Sequence, residues 1–148
     1  MLIRSATQSD ILALLELLET LFSIEADFHF DAGKSRRGLE LMLQSPETRT
    51  VLVAQIEGKV VGMCSAQLII STAMGAPAIW IEDVVLKPQF RRSGLMPRML
   101  RELERWATQR GVERFQVLCD TQNKPAVGFY PKVGFQQTQL VCFFKYAL

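Results

Sequence analysis

The chain has 148 residues, of which 49% are hydrophobic and 22% charged, with a formal net charge of +2. These are the proportions of one folded domain, and they exclude a disordered tail or a fibrous repeat. No run of about 18 apolar residues occurs, and the most apolar N-terminal stretch, Ile11 to Phe22, is interrupted by Glu16, Glu19 and Thr20, which argues against a membrane span and a secretory signal.

Leu2 to Ala6 predicts a short strand, and Thr7-x-x-Asp10 offers a capping-box start to a helix. That helix carries Ile11, Leu14, Leu15, Leu18, Leu21 and Phe22 at intervals of three and four, so one face is apolar. After an irregular stretch over Ser23 to Gly33, a second helix is expected from Arg36 to Gln44, ended by Ser45-Pro46. Val51 to Ile56 and Val60 to Ile70 flank Glu57-Gly58-Lys59 and read as an antiparallel hairpin. Ala78 to Leu86 is apolar enough for a buried strand yet carries adjacent carboxylates at Glu82 and Asp83. In a regular strand such neighbours face opposite sides, so only one should enter a given pocket.

Past Pro88 a helix is expected from about Gly94 to Arg110, with a stripe of Met96, Met99, Leu100, Leu103 and Ala107 and a closing Gly111. Phe115 to Cys119 follows as a strand, and a crossover of that length implies parallel pairing in the middle of a sheet. Asn123-Lys-Pro125 opens a last helix that Gly134 ends, and a final strand pair is expected within Phe135 to Tyr146. The reading is one domain over residues 1–148, α/β in class, with a mixed, mostly antiparallel sheet and helices on both faces.

Charge is unevenly spread. Residues 1–50 carry five basic and eight acidic groups, 51–86 one and three, 87–110 seven and two, and 111–148 four and two. The basic block suggests an anionic neighbour, whereas Glu16 to Asp31 holds five acids and no Lys or Arg. From charge alone, solvated helix faces are the simpler account of both runs, since surface charge runs usually have no partner. The turn Pro88-Gln-Phe-Arg-Arg-Ser-Gly94 joins a strand to a helix N-terminus, where free N–H groups and the positive end of the helix dipole suit phosphate. G-x-x-x-x-G-K-[ST] and G-x-G-x-x-G are both absent, so neither an NTP-hydrolysing loop nor a dinucleotide fold is supported. An ordinary βα turn with solvated arginines is the competing reading.

E-D-x-x-x-x-P-x-x-R-x-x-G from Glu82 to Gly94, followed by Asn123-x-x-Ala126-x-x-Phe129-Tyr130-x-x-x-Gly134-Phe135, resembles the GNAT superfamily of acetyl-CoA-dependent N-acetyltransferases. The order of elements matches along essentially the whole chain. The resemblance implies a GNAT-like sheet of six to seven strands with about four helices, acetyl-CoA as cosubstrate, no metal, and a primary amine as acceptor. It implies that Arg91, Arg92, Ser93, Gly94 and Met96 cradle the CoA pyrophosphate. Val84 and Leu86 would pair with the pantetheine arm, and Asn123 would contact the same arm. Met96 departs from the family's usual Gly or Ala, and Pro97 removes one N–H from the same turn.

The chemistry implied is direct attack of a neutral amine on the thioester. Glu82, alone or through a water, is the candidate base, with Asp83 able to exchange roles; a strand N–H near Val84 is the candidate oxyanion donor and Tyr130 the candidate acid. The acidic Glu16–Asp31 segment falls where such folds cover the acceptor, which suggests a small cationic amine. Met96 and Pro97 prompt the alternative of an acyl-CoA-binding sensor without turnover. Nucleic-acid binding through residues 87–110 is a weaker third reading, because few aromatics interleave with the arginines. His29, the only histidine, is weighed as lining for the acceptor pocket and less as a catalytic group. Cys64, Cys119 and Cys142 are odd in number and lack C-x-x-C spacing, so neither a disulfide framework nor a zinc knuckle is expected and a cytoplasmic setting fits. A homodimer, common in the family, is the implied assembly.

Overall fold

The hydrophobic periodicities condense into four helices and five strands in the computed structural model, which describes residues 1–147. Main-chain packing divides the chain into two compact units, Met1–Leu118 and Cys119–Leu148.

The first unit holds the sheet. Strand β1 (Leu2–Ser5) leads through a 3-10 turn (Gln8–Asp10) into helix α1 (Ile11–Phe22). The capping box forms as expected, with the Thr7 N–H donating to Asp10 Oδ2 at 2.8 Å. Asp10 also receives both ends of the Arg4 guanidinium, at 2.7 and 2.9 Å, which ties β1 to the start of α1. Helix α2 (Ala32–Leu43) begins four residues earlier than its apolar spacing suggests, because the Asp31 side chain accepts the Lys34 N–H and caps it. Strands β2 (Arg49–Ile56) and β3 (Lys59–Ser71) form the hairpin, with Glu57 and Gly58 both at positive φ (49° and 77°) in its two-residue turn.

Strand β4 (Ala76–Leu86), helix α3 (Leu95–Thr108) and strand β5 (Arg114–Val117) complete the unit. The strand order is β1-β2-β3-β4-β5, antiparallel except for the parallel β4–β5 pair. The crossover connection is therefore parallel as anticipated, but β5 lies at the sheet's edge and not in its middle. Helices α1 and α2 cover one face, burying Leu14, Leu17, Leu18 and Leu39 against Val51, Val53, Met63 and Val85. Helix α3 covers the other: Gly62, which alternates with Met63, has the Leu86 side chain and Met99 Sδ within 4 Å of where a Cβ would stand.

The second unit contains α4 (Lys124–Lys132), capped by Asn123 Oδ1 accepting the Ala126 N–H at 3.3 Å and closed at Gly134 with φ 99°. The strand pair expected within Phe135–Tyr146 does not form, so the sheet has five strands and not six to seven. Apolar, β-prone residues there meet the local requirement for a strand, but a strand also needs a neighbour's main chain, and Leu140, Phe143 and Tyr146 stay exposed.

Candidate active site

Strand β4 organises the candidate site. Its register against β3 runs Gly62↔Leu86 and Met63↔Val85, then shifts to Ser65↔Glu82, so Asp83 and Val84 together oppose Cys64 in a β-bulge. Asp83 sits in the left-handed region at φ 53°. That breaks the alternation expected for adjacent strand residues: Glu82 and Asp83 both line one cavity of about 470 Å³, beneath α1 and α2. Regular alternation would send only one of them there; the extra residue of the bulge reverses the side on which the strand presents its next group, and both enter.

The two carboxylates are held differently. Glu82 is exposed and accepts the Trp80 indole N–H at 2.6 Å. Asp83 accepts the Ser65 hydroxyl at 3.1 Å; burial and then the nearby charge of Glu82 push its carboxyl up to about 6, with the Ser65 hydrogen bond opposing. Cys64 lies behind them, fully buried, and burial together with the Asp83 charge raises its thiol to about 12, so it is no nucleophile.

Beyond the bulge β4 presents an open edge. The Lys87 N–H donates to Val61 O at 2.8 Å, so the 61/87 and 63/85 pairs carry the ladder bonds and Leu86 directs its N–H and C=O away from β3. By the same alternation Val84 lies on that side. Pairing with β5 ends at Ile81↔Val117, so on the side away from β3 Val84 and Leu86 have no strand neighbour among the described residues.

The edge runs directly into the turn before α3. A 3-10 turn over Pro88–Phe90 consumes the Phe90 and Arg91 N–H groups, on Lys87 O and Pro88 O. The N–H groups of Arg92, Ser93, Gly94, Leu95 and Met96 then find no acceptor among the described residues. Arg92 (φ 58°) and Gly94 (φ 78°) both adopt left-handed backbone, and Gly94 serves as the N-cap of α3. The guanidinium groups of Arg91, Arg92 and Arg98 are exposed and pair with no carboxylate among the described residues. Met96 is buried, 7% exposed, so its side chain belongs to the core and leaves the turn uncrowded. Pro97 occupies the first turn of α3, where a helix has no internal use for the missing N–H. Main-chain donors, a dipole end and exposed arginines together suit a diphosphate.

Other sequence-level expectations map differently. None of the five acids between Glu16 and Asp31 lines the cavity; Leu18 and Phe22 of that stretch do. Glu16 instead approaches Lys87, at 3.6 Å. His29 is exposed and outside the cavity lining. Arg49, Ser65 and Gln67 line it without any sequence motif to announce them; only the register of β2 and β3 puts them there. Within the second unit, Asn123 spends its side-chain oxygen on capping α4, and the Tyr130 ring packs edge-on against Phe129 and Phe135 with centroids 5.3 and 5.6 Å apart.

Residues 13–135 match the Acetyltransferase (GNAT) family. The aminoglycoside N(6')-acetyltransferase type 1 of Salmonella typhimurium is 21% identical over 96 residues, which cover 63% of this chain and 66% of that protein, just under two thirds of its length. Among solved structures, glucosamine-6-phosphate N-acetyltransferase from Arabidopsis thaliana superposes with a TM-score of 0.78 at 22% identity, over 99% of this chain and 98% of that one. The aminoglycoside N-acetyltransferase AAC(6')-Iy, in complex with CoA, superposes with a TM-score of 0.83 at 18% identity, over 99% and 94%.

Proposed function

We propose that this chain, which belongs to the GNAT family of acetyltransferases, moves an acetyl group from acetyl-CoA to a primary amine by direct attack in a ternary complex. The observation that carries the reading is the continuity of β4: carboxylates on a cavity, then an unpaired main-chain edge, then a turn of free N–H groups. One strand thus offers a place for an amine, an extended arm and a diphosphate in sequence. We take residues 1–148 as one functional domain, because the family match runs through both compact units.

In this mechanism the Arg92–Met96 turn and the arginines Arg91 and Arg92 hold the CoA pyrophosphate, and the Val84–Leu86 edge pairs with the pantetheine arm. Asn123 adds a contact to that arm. The acceptor enters as an ammonium ion, attracted by Glu82 and Asp83, and surrenders a proton to Glu82, whose exposure lets the proton pass on to solvent. The amine lone pair then forms the C–N bond while the C–S bond breaks. The Val84 N–H stabilises the charge gathering on the carbonyl oxygen, and Tyr130 donates a proton to the departing thiolate. We further place the enzyme in the cytoplasm, in keeping with its free cysteines, and as a homodimer, which would cover exposed apolar groups such as Phe143.

A thiol-release assay with acetyl-CoA and a panel of amines tests this function. Thiol release that requires both acetyl-CoA and an amine is the expected result. Thermal stabilisation by CoA with no release for any amine would favour a binding module, and no stabilisation at all would overturn the site.

A further inference from the structure

The cavity beneath α1 and α2 is not uniformly acidic, and its charges are separated. Glu82 and Asp83 stand on β4, whereas Arg49 lines the same cavity from β2. One Arg49 Nη1–H donates to Leu41 O at 2.8 Å; the other guanidinium hydrogens meet no acceptor, and no carboxylate pairs with Arg49, among the described residues. In register, Arg49 lies opposite Gln67, which lies opposite Trp80, while Val51, Ser65 and Glu82 form the next row on that face. Arg49 is therefore two strands across and one same-face repeat along from Glu82, about 10 Å by about 7 Å. The Gln67 side chain, in the strand between them, lines the cavity and makes no hydrogen bond among the described residues, which leaves it an amide donor and an acceptor.

The rest of the lining is mostly apolar, with Leu18 and Phe22 from α1, Leu39 and Met42 from α2 and Val51 from β2, and it carries two hydroxyls, on Ser35 and Ser65. An aminoglycoside would bring many hydroxyls against those apolar side chains with few partners for them beyond Ser35, Ser65 and Gln67. Its additional ammonium groups would also find no further carboxylate, because the acids of Glu16–Asp31 do not reach the cavity.

From this layout we infer that the acceptor is a zwitterion with an apolar body, its primary amine facing Glu82 and Asp83 and a carboxylate facing Arg49, as in a short hydrophobic peptide. The inference rests on the acetyl transfer proposed above and adds the acceptor's class. Two residues of extended chain reach about 7 Å, which suits poles set this far apart once the Arg and Glu side chains lean inward. Gln67 would meet the peptide bond between them.

The test compares leucyl-leucine, its C-terminal amide leucyl-leucinamide, free leucine, kanamycin and spermidine as acceptors for the full chain with acetyl-CoA. A single charge-assisted contact is worth about tenfold, so kcat/KM for leucyl-leucine should exceed that for its amide by about that factor, mostly through KM, and should exceed kanamycin and spermidine. Free leucine, too short to span the poles, should fall below the dipeptide. In Arg49→Gln the acid-to-amide ratio should collapse toward one; since this variant also loses the Leu41 contact, unchanged thermal stabilisation by CoA certifies its fold. The ratio within the native chain needs no variant. Equal turnover of acid and amide, a preference for kanamycin or spermidine, a leucine rate matching the dipeptide's, or a ratio that survives in Arg49→Gln overturns the inference while leaving acetyl transfer standing. Failure of every amine to release thiol overturns the proposed function, and this inference with it.

Discussion

Glu82 and Asp83 are neighbours in the chain and face the same cavity, because Asp83 takes a left-handed φ of 53° at a bulge in β4. Two carboxylates that share a cavity in this way do not share an environment. The exposed one can exchange protons with solvent, and the half-buried one resists ionisation until the pH passes about 6.

Glu82→Gln keeps the shape and the Trp80 contact but cannot take a proton. Its kcat should fall by about 10²-fold with little change in thermal stability or CoA affinity, measured by thiol release and calorimetry. A variant retaining more than a third of the native kcat would remove Glu82 from the proton's path.

Ionised Asp83 helps attract an ammonium acceptor, so kcat/KM should rise with pH through about 6, and Asp83→Asn should abolish that limb. Asparagine tolerates left-handed backbone, so the bulge itself should survive. A limb at the same position in the variant would assign it to another group.

The same group gives a stability signature of known sign. Its folded pKa is raised, so between about pH 4 and pH 6 the folded chain binds a proton that the unfolded chain does not, and stability falls as pH rises. The loss is about 3 kcal/mol across that window and should be missing in Asp83→Asn, as read by urea unfolding at several pH values. Asp10 has the opposite sign: hydrogen bonds from Arg4 hold its carboxyl below the usual range, so its contribution is present above about pH 4 and is lost as the pH falls further. Asp10→Asn should cost about 2 kcal/mol at neutral pH without altering kcat.

Gly94→Ala tests the turn before α3. No atom lies within 4 Å of the added Cβ, so the penalty comes from the left-handed φ of 78°. That costs about 1 kcal/mol of folding stability, and any shift of the turn away from this conformation rotates the free N–H groups. CoA should bind about tenfold more weakly by titration calorimetry. Unchanged affinity would mean that the diphosphate is held elsewhere.

Gly62→Ala probes the packing behind the open edge. Its Cβ would overlap Leu86 Cδ2 and come within 3.2 Å of Val85 O, so Leu86 must move or the strands part. A loss of about 1–3 kcal/mol is expected on thermal unfolding.

What the residues could announce by themselves was whatever depends on near neighbours. The stripe from Met96 to Ala107 specified α3, Asn123 and Gly134 bounded α4, and the spacing from Glu82 to Gly94 carried the family, because periodicity, caps and turns act within a few positions of the chain. The bulge at Asp83, the pairing of Arg49 with Gln67 across the sheet, and the strands that failed to form after Phe135 were settled otherwise. Each depends on which main-chain groups meet across strands distant in sequence, and a one-residue shift in that meeting decides which side chains face the cavity. Hence the acids of Glu16–Asp31, conspicuous in the sequence, stand outside it, while Arg49, inconspicuous there, stands within.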